Sequence, residues 1–130
     1  MSEPPSAAGG HMKLHVRFRN LEASPELQRQ VVRRIHFALA RLAHAVQRVT
    51  VTLGDVNGPR GGIDKACQVR VEGPRLGVIV IQAAAADPVA ALDEAVGRAA
   101  RTTARTLHRR RLREHVSSGP TSTAANTDPF

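Results

Sequence analysis

Aromatic residues are nearly missing from this chain of 130 residues, which has no tryptophan, no tyrosine and only three phenylalanines. Aromatic cages and platforms that stack several bases need more rings than this, so both kinds of site are excluded. Cysteine is rarer still, and Cys67 is the single cysteine of the sequence. A single cysteine forms no internal disulfide and no cysteine metal cluster, and we interpret it as a small core residue.

Long apolar runs are missing as well. The longest, in GVIVIQAAAA, is too short to span a bilayer. The first residues show neither the basic start nor the apolar core of a signal peptide. We therefore expect a soluble, cytoplasmic protein without a membrane partner, and its length suits one domain.

Positive charge is what the chain has in excess. Lys and Arg number 19 against 11 acidic residues, which gives a formal net charge of +8, and 17 of the 19 are arginine. Arginine binds phosphate oxygens through two parallel hydrogen bonds, a geometry that lysine lacks. This balance predicts a polyanionic partner, most often nucleic acid.

Polar segments flank a folded region. Residues 1–12 and 116–130 are predicted to be disordered, and residues 13–115 to form one domain. Within it, KLHVRFR alternates strictly, which is typical of a half-buried strand with Lys13 and Arg17 on its open face. RVTVTL and KACQVRVE predict two further strands, and LGVIVIQA, apolar on both faces, predicts a central or covered strand.

Two helices complete the pattern, and the first begins at Ser24. Serine is a good helix cap, and the proline after it suits the first helical position. The core stripe recurs at helical spacing and consists of Leu27, Val31, Ile35, Ala38, Leu42 and Val46. The rest of the circumference is basic and carries Arg29, Arg33, Arg34, Arg41 and His44, with Phe37 among them.

The second helix is predicted from Pro88 to Arg113. Its core stripe consists of Val89, Leu92, Val96, Ala99, Thr103 and Leu107. A second stripe, about half a turn away, consists of Arg98, Arg101, Arg105, His108 and Arg109. The order β-α-β-β-β-α predicts an α+β fold, a four-stranded sheet with two helices packed on one face.

The stretch DVNGPRGGIDK is rich in glycine, which raises the question of a metal or phosphate loop. It does not fit a calcium loop, because Pro59 and Ala66 stand where oxygen ligands are needed. It does not fit a P-loop, because a strand rather than a helix follows. Asn-Gly and Gly-Gly are instead typical of a connection between antiparallel strands. The histidines are scattered along the sequence, so we expect no metal site. No catalytic motif is recognisable either, and we expect no cofactor, no small-molecule substrate and no catalytic site.

The basic faces are the strongest functional feature of the sequence. Solvated helices normally mix acids with bases, whereas residues 98–113 hold seven arginines and no acid. We therefore predict an RNA-binding surface made of Lys13, Arg17, Arg29, Arg33, Arg34, Arg41, Arg98, Arg101, Arg105 and Arg109. Two alternatives stay open: a general binder of structured RNA or DNA, and a regulatory module that docks on proteins by its C-terminal helix.

Two segments resemble the ribosome hibernation-promoting factor family, which includes the ribosome-associated inhibitor proteins. MKLHVRFRNLEASPEL is similar to the opening strand, Asn-x-Glu turn and helix cap of that family, and DPVAALDEAVGRAARTTARTLHRRR is similar to its final helix. The resemblance runs from Met12 to roughly Leu112. Two departures are visible, since Pro88-Val89 replace the family's aromatic and Phe37 stands where relatives often have lysine.

The resemblance implies a non-enzymatic factor that binds the small ribosomal subunit and its rRNA, occludes the mRNA and tRNA sites, and inhibits translation in stress or stationary phase. Arg34, Arg98, Arg101 and Arg105 match Lys or Arg positions of the family that face rRNA. The chain resembles the short members, because the tail at 116–130 has no room for a dimerisation domain. We expect a monomer away from the ribosome, and the sequence leaves open whether binding promotes or blocks ribosome pairing.

Overall fold

Six regular elements form the computed structural model, which describes residues 12–56 and 64–117, with side chains as far as 113. They are β1 (Lys13–Arg19), α1 (Pro25–Leu39), β2 (Arg48–Asp55), β3 (Lys65–Gly73), β4 (Gly77–Ala85) and α2 (Pro88–Ser117). This order confirms the predicted arrangement. Two segments, 1–12 and 116–130, were predicted to be disordered. Residues 1–11 and 118–130 lie outside the described part, whereas Met12 is buried in the core and residues 116–117 belong to α2.

The four strands form one mixed sheet in the order β1-β2-β3-β4. β1 runs parallel to β2, because α1 carries the chain back between them, and the other two pairs are antiparallel. A tight turn joins β3 to β4. In this turn the Leu76 amide donates a hydrogen bond to the Gly73 carbonyl at 3.0 Å, and Gly77 adopts a φ of +72°, a value that favours glycine.

The core lies on one face of the sheet, and both helices cover that face. The inward residues of the two central strands are almost fully buried: Val49, Val51, Leu53, Cys67, Val69 and Val71. Val31 and Ile35 of α1 and Leu92 of α2 pack with them in one cluster. Side chains alternate along a strand, so the residues between the buried ones lie on the opposite face of the sheet.

α1 begins as predicted but ends earlier. The Ser24 hydroxyl oxygen accepts a hydrogen bond from the Leu27 amide at 3.1 Å, which confirms the predicted cap. The core stripe predicted a helix as far as Val46. Instead α1 ends at Leu39, and a short 3-10 helix follows at Ala40–Leu42.

Hydrogen bonds in the connection to β2 explain the early end. The Ala45 amide donates to the Leu42 carbonyl at 2.9 Å, and the Val46 amide donates to the Ala43 carbonyl at 3.2 Å. These bonds span three residues rather than four, so the chain winds more tightly and turns into β2 while Val46 stays buried. The last fully buried side chain of α1 is Leu39, which the predicted stripe left out.

β4 lies at an edge of the sheet, where the sequence predicted a central or covered strand. Ile79 and Ala83 point to the core and are each 9% exposed, whereas Val78 and Val80 point to the open face and are about half exposed. The prediction was wrong because a branched side chain favours any pleated strand, including a half-exposed one. Apolar residues on both sides of a strand therefore do not establish that both sides are covered.

α2 packs along β3 and β4 and is capped at its start. One carboxylate oxygen of Asp87 accepts hydrogen bonds from the Val89 amide at 3.0 Å and the Ala90 amide at 3.1 Å. The helix extends to Ser117, a little past its predicted end. Thr103 is fully buried at its centre, and the hydroxyl of Thr103 has no hydrogen-bond partner among the described residues.

Candidate nucleic-acid interface

The arginines of α2 form an exposed basic surface along one side of the helix. Its exposed members are Arg98, Arg101, Arg105, His108 and Arg109, at spacings of three and four residues. Residues at these spacings lie on neighbouring turns of the same side. The core stripe of α2 faces the sheet, so the structure places the predicted basic stripe on the outer surface.

The arginines on this surface differ in what they contact. Within the described part of the chain, neither Arg101 nor Arg105 forms an ion pair. Arg98 does, since its Nη1 lies 3.7 Å from a carboxylate oxygen of Glu94 and donates a hydrogen bond to the Gln82 carbonyl at 2.9 Å. Gln82 belongs to the edge strand β4, so Arg98 caps a backbone acceptor of the sheet edge. Part of the Arg98 guanidinium is therefore committed to the fold.

The arginines of α1 show the same division. Arg29 forms a 3.6 Å ion pair with Glu26 in which both side chains are largely exposed, and a pair of this kind contributes about 0–1 kcal/mol. Arg33 is exposed. Arg34 is held more firmly, because its Nε pairs with a carboxylate oxygen of Asp93 on α2. Arg34 thus ties α1 to α2.

A second contact joins the two helical segments further along. His44 follows the 3-10 helix that contains Arg41, and the His44 Nε2 lies 3.4 Å from the Arg111 Nη2. This contact joins the segment that follows the 3-10 helix to the basic end of α2. Arg111 was not among the predicted RNA-binding residues, although the run RRRLR could have drawn attention to it.

Lys13 and Arg17 lie on the open face of the sheet, away from the helices. Three further arginines share this face: Arg19 is exposed on the same side of β1, the register sets Arg48 of β2 beside Lys13, and Arg70 of β3 is exposed on the same side. Neither Arg48 nor Arg70 was among the predicted site residues, although the alternation in β2 and β3 marks both as outward. The ten predicted residues therefore fall on two faces, eight on the helical segments and two on the sheet.

The glycine-rich stretch is closed at its base by charged residues. The Lys65 Nζ lies 2.8 Å from the Asp64 Oδ1 and 3.6 Å from the Asp55 Oδ2, and Asp64 is buried. The hydrogen bond to the Asp64 carboxylate raises the pKa of Lys65 above its ordinary value. Antiparallel pairing of β2 with β3 confirms that the stretch connects two strands, and its residues 57–63 lie outside the described part.

Two observations in the described part of the chain concern metal binding and thiol reactivity. No group of three or more His, Cys, Asp or Glu in 12–56 and 64–117 is placed to hold a metal ion. Cys67 is buried, and burial raises the pKa of its thiol to about 12, so the thiol is neutral at physiological pH. No helix within these same ranges is both long and apolar enough to cross a bilayer.

Comparison with known families identifies the family of this chain. The model of the family described as Sigma 54 modulation protein / S30EA ribosomal protein matches residues 14–111. The chain belongs to this family. The match to the S30EA family takes in the four strands and both helices almost completely, and it confirms the resemblance drawn from the sequence.

Solved structures share the S30EA fold. The N-terminal domain of Protein Y from Thermus thermophilus is 23% identical, with a TM-score of 0.57, over 70% of this chain and 93% of that one. A ribosomal subunit interface protein from Coxiella burnetii is 15% identical, with a TM-score of 0.59, over 71% of this chain and 93% of that one. At these identities the likeness concerns the fold alone. No curated protein matches the chain.

Proposed function

We propose that this S30EA-family protein binds the small ribosomal subunit in the cytoplasm and inhibits translation by occluding the mRNA and tRNA sites. The observation that carries the proposal is the acid-free arginine surface of α2 between residues 98 and 113. Ribosomal RNA is a dense polyanion, and exposed arginines bind its phosphates. The name of the relative from Coxiella burnetii, a ribosomal subunit interface protein, supports a ribosomal partner.

Arg101 and Arg105 are the residues that we expect to contact rRNA phosphates most directly. Neither has an ion pair among the described residues, so binding RNA requires no internal contact to break. Arg33, Arg41 and Arg109 extend the surface, and Lys13, Arg17 and Arg29 add charge at its margins and on the sheet. Arg34 and Arg98 keep their internal contacts, and we expect them to shape the surface while adding positive potential.

Occlusion needs no chemical step. A folded domain that occupies the path of mRNA and tRNA excludes both by its volume, so the proposed factor is not an enzyme. The contacts are mainly ionic, and every neutralised phosphate releases condensed counterions. Binding should therefore be reversible and should weaken steeply as salt rises.

Sedimentation of the purified protein with ribosomes tests the proposed partner. We expect the protein to travel with small subunits and intact ribosomes at low salt and to remain at the top of the gradient at high salt. The double variant Arg101→Glu, Arg105→Glu should stay at the top at both salt concentrations. Wild-type protein left at the top at low salt would refute ribosome binding.

Matched single variants control for net charge. Arg105→Glu and Arg75→Glu change the net charge equally, but Arg75 lies in the turn between β3 and β4, outside the helices. Arg75→Glu should sediment like the wild type, whereas Arg105→Glu should need lower salt to bind. Circular dichroism of each variant checks that the fold is intact. Equal losses from both variants would show that binding follows net charge and not the α2 surface.

Competition tests occlusion separately. Small subunits preloaded with mRNA and tRNA should not take up the protein, and excess protein should prevent loading of either ligand. Stable binding of mRNA, tRNA and protein to the same subunit would contradict occlusion while leaving ribosome binding intact. Equal affinity for random duplex RNA would instead favour a general binder of structured RNA.

A further inference from the structure

Phe37 is an exposed aromatic side chain on the basic side of α1. It is 87% exposed, more than any other large hydrophobic residue in the described part of the chain. Single apolar side chains on a surface are ordinary, so exposure alone does not indicate a ligand. The residues around Phe37 indicate what kind of ligand its side chain could contact.

Phe37 continues a row of arginines at four-residue intervals. Arg29, Arg33, Phe37 and Arg41 are all exposed and follow one another along one ridge of α1 and the 3-10 helix. The only acid on α1 is Glu26, about three turns from Phe37. Phe37 therefore has an arginine one turn before it and another one turn after it.

A docking site for a protein would look different. Protein interfaces group several apolar side chains at their centre and exclude most charges there. The residues one turn from Phe37 are instead Arg33, Arg34, Ala40 and Arg41. One aromatic ring between cations suits a nucleic acid, in which a flat base alternates with charged phosphates.

We propose that Phe37 stacks on an unpaired base of the RNA whose phosphates are held by Arg33 and Arg41. This inference rests on the proposed function and adds a contact of a different kind. Bases in single-stranded loops and bulges can turn out of their stack and lie on an aromatic face. Every base has such a face, so the contact tolerates any sequence and adds affinity that salt does not screen.

The absence of tryptophan from the chain provides a direct test. Phe37→Trp makes a sole tryptophan, and an indole stacked on a base loses fluorescence. We expect the emission to be quenched on titration with small subunits, and the wild-type protein serves as a blank for ribosomal fluorescence. A shift to shorter wavelength without quenching would show an apolar protein pocket, and unchanged emission at saturation would show no contact; either result overturns the inference.

A control variant locates the effect on the surface. Gln28→Trp places the probe at another exposed position of α1, nine residues earlier and half a turn around the helix. We expect its emission to change little when the protein binds. Equal quenching at Gln28 and Phe37 would mean that the signal reports proximity to RNA and not stacking, which also overturns the inference.

Affinity measurements with variants of Phe37 separate stacking of the ring from nonspecific apolar contact by a side chain of similar size. Phe37→Ala should weaken binding by roughly 5- to 150-fold without changing its salt dependence. Phe37→Leu keeps an apolar side chain without a flat face and should lose as much, whereas Phe37→Tyr should bind like the wild type. If the Phe37→Leu variant binds small subunits as tightly as the wild type, stacking is refuted. Wild-type sedimentation tests ribosome binding independently, so intact sedimentation without quenching refutes this inference alone.

Discussion

Neutralising single arginines can separate those that we propose to bind RNA from those that stabilise the fold. Arg105→Gln removes a charge from an exposed side chain without an ion pair in the described part of the chain. Arg34→Gln removes the same charge from a side chain that pairs with Asp93 across the two helices. We expect Arg105→Gln to lose a phosphate contact, and Arg34→Gln to leave the number of phosphate contacts nearly unchanged.

The magnitude follows from counterion release. Each lost phosphate contact lowers the slope of log affinity against log salt by about 0.7–0.9, which at about 0.1 M salt means binding weaker by about 5- to 8-fold. Arg101→Gln combined with Arg105→Gln should lower the slope by about 1.4–1.8 and weaken binding by about 25- to 60-fold. Arg98→Gln should lower the slope by less than one full phosphate contact does, because Arg98 also donates a hydrogen bond to the Gln82 carbonyl. Arg34→Gln should instead reduce the free energy of unfolding by up to about 1 kcal/mol.

Anisotropy titrations of labelled protein with small subunits at several salt concentrations measure the slope, and urea denaturation measures the stability. Arg75→Gln is a control for net charge, since it removes one charge from the turn between β3 and β4, where Arg75 has a contact of its own. Its slope should equal that of the wild type. If Arg34→Gln or Arg75→Gln lowers the slope as much as Arg105→Gln, the surface around Arg105 has no special role and the reasoning fails.

Three further changes test the fold. Folding favours the neutral thiol of Cys67, so the stabilising contribution of this thiol is present below its ordinary pKa and is lost as pH rises toward about 12. In the wild type this loss lowers the free energy of unfolding above about pH 9 by up to about 1.4 kcal/mol per pH unit. Cys67→Ala should remove this decrease, which urea titrations at several pH values would reveal. Thr103→Val replaces a buried hydroxyl that has no described partner and should raise the free energy of unfolding by about 1 kcal/mol; an unchanged or lower melting temperature would contradict this. Ser24→Ala removes the cap of α1 and should lower stability by about 1 kcal/mol in urea titrations, whereas Ser24→Asp should not.

The regular parts of the fold could be predicted because their causes are local. Strict alternation in β1 fixes which side chains face the core, and the same period places Val49 and Val51 of β2 inward. The start of α1 was predicted because serine accepts a hydrogen bond from a first-turn amide and the proline after it has no amide hydrogen to satisfy. No distant residue is needed for either feature, so the sequence alone was sufficient.

Features that depend on neighbouring elements could not be predicted in this way. The spacing of Leu42 and Val46 fits a helix, but the chain had to turn into β2 at that point and did so through three-residue hydrogen bonds. Val78 and Val80 satisfy β-propensity, while the absence of a covering layer on their face is a property of the whole sheet. Local propensity is equal in both situations, so only the assembled fold distinguishes them.

The candidate site shows the same limit in its charges. Helical spacing establishes which arginines face outward, but it does not establish which of them are already paired. The partner of Arg34 is Asp93, 59 residues away in the sequence, and the partner of Arg98 is a backbone oxygen of a different element. A count of seven arginines in residues 98–113 therefore overstates the number available to bind phosphate, because Arg98 is already paired. Substitutions made one arginine at a time can separate the two roles, because we expect a paired arginine to affect the stability of the fold and an unpaired one to affect the salt dependence of the proposed RNA binding.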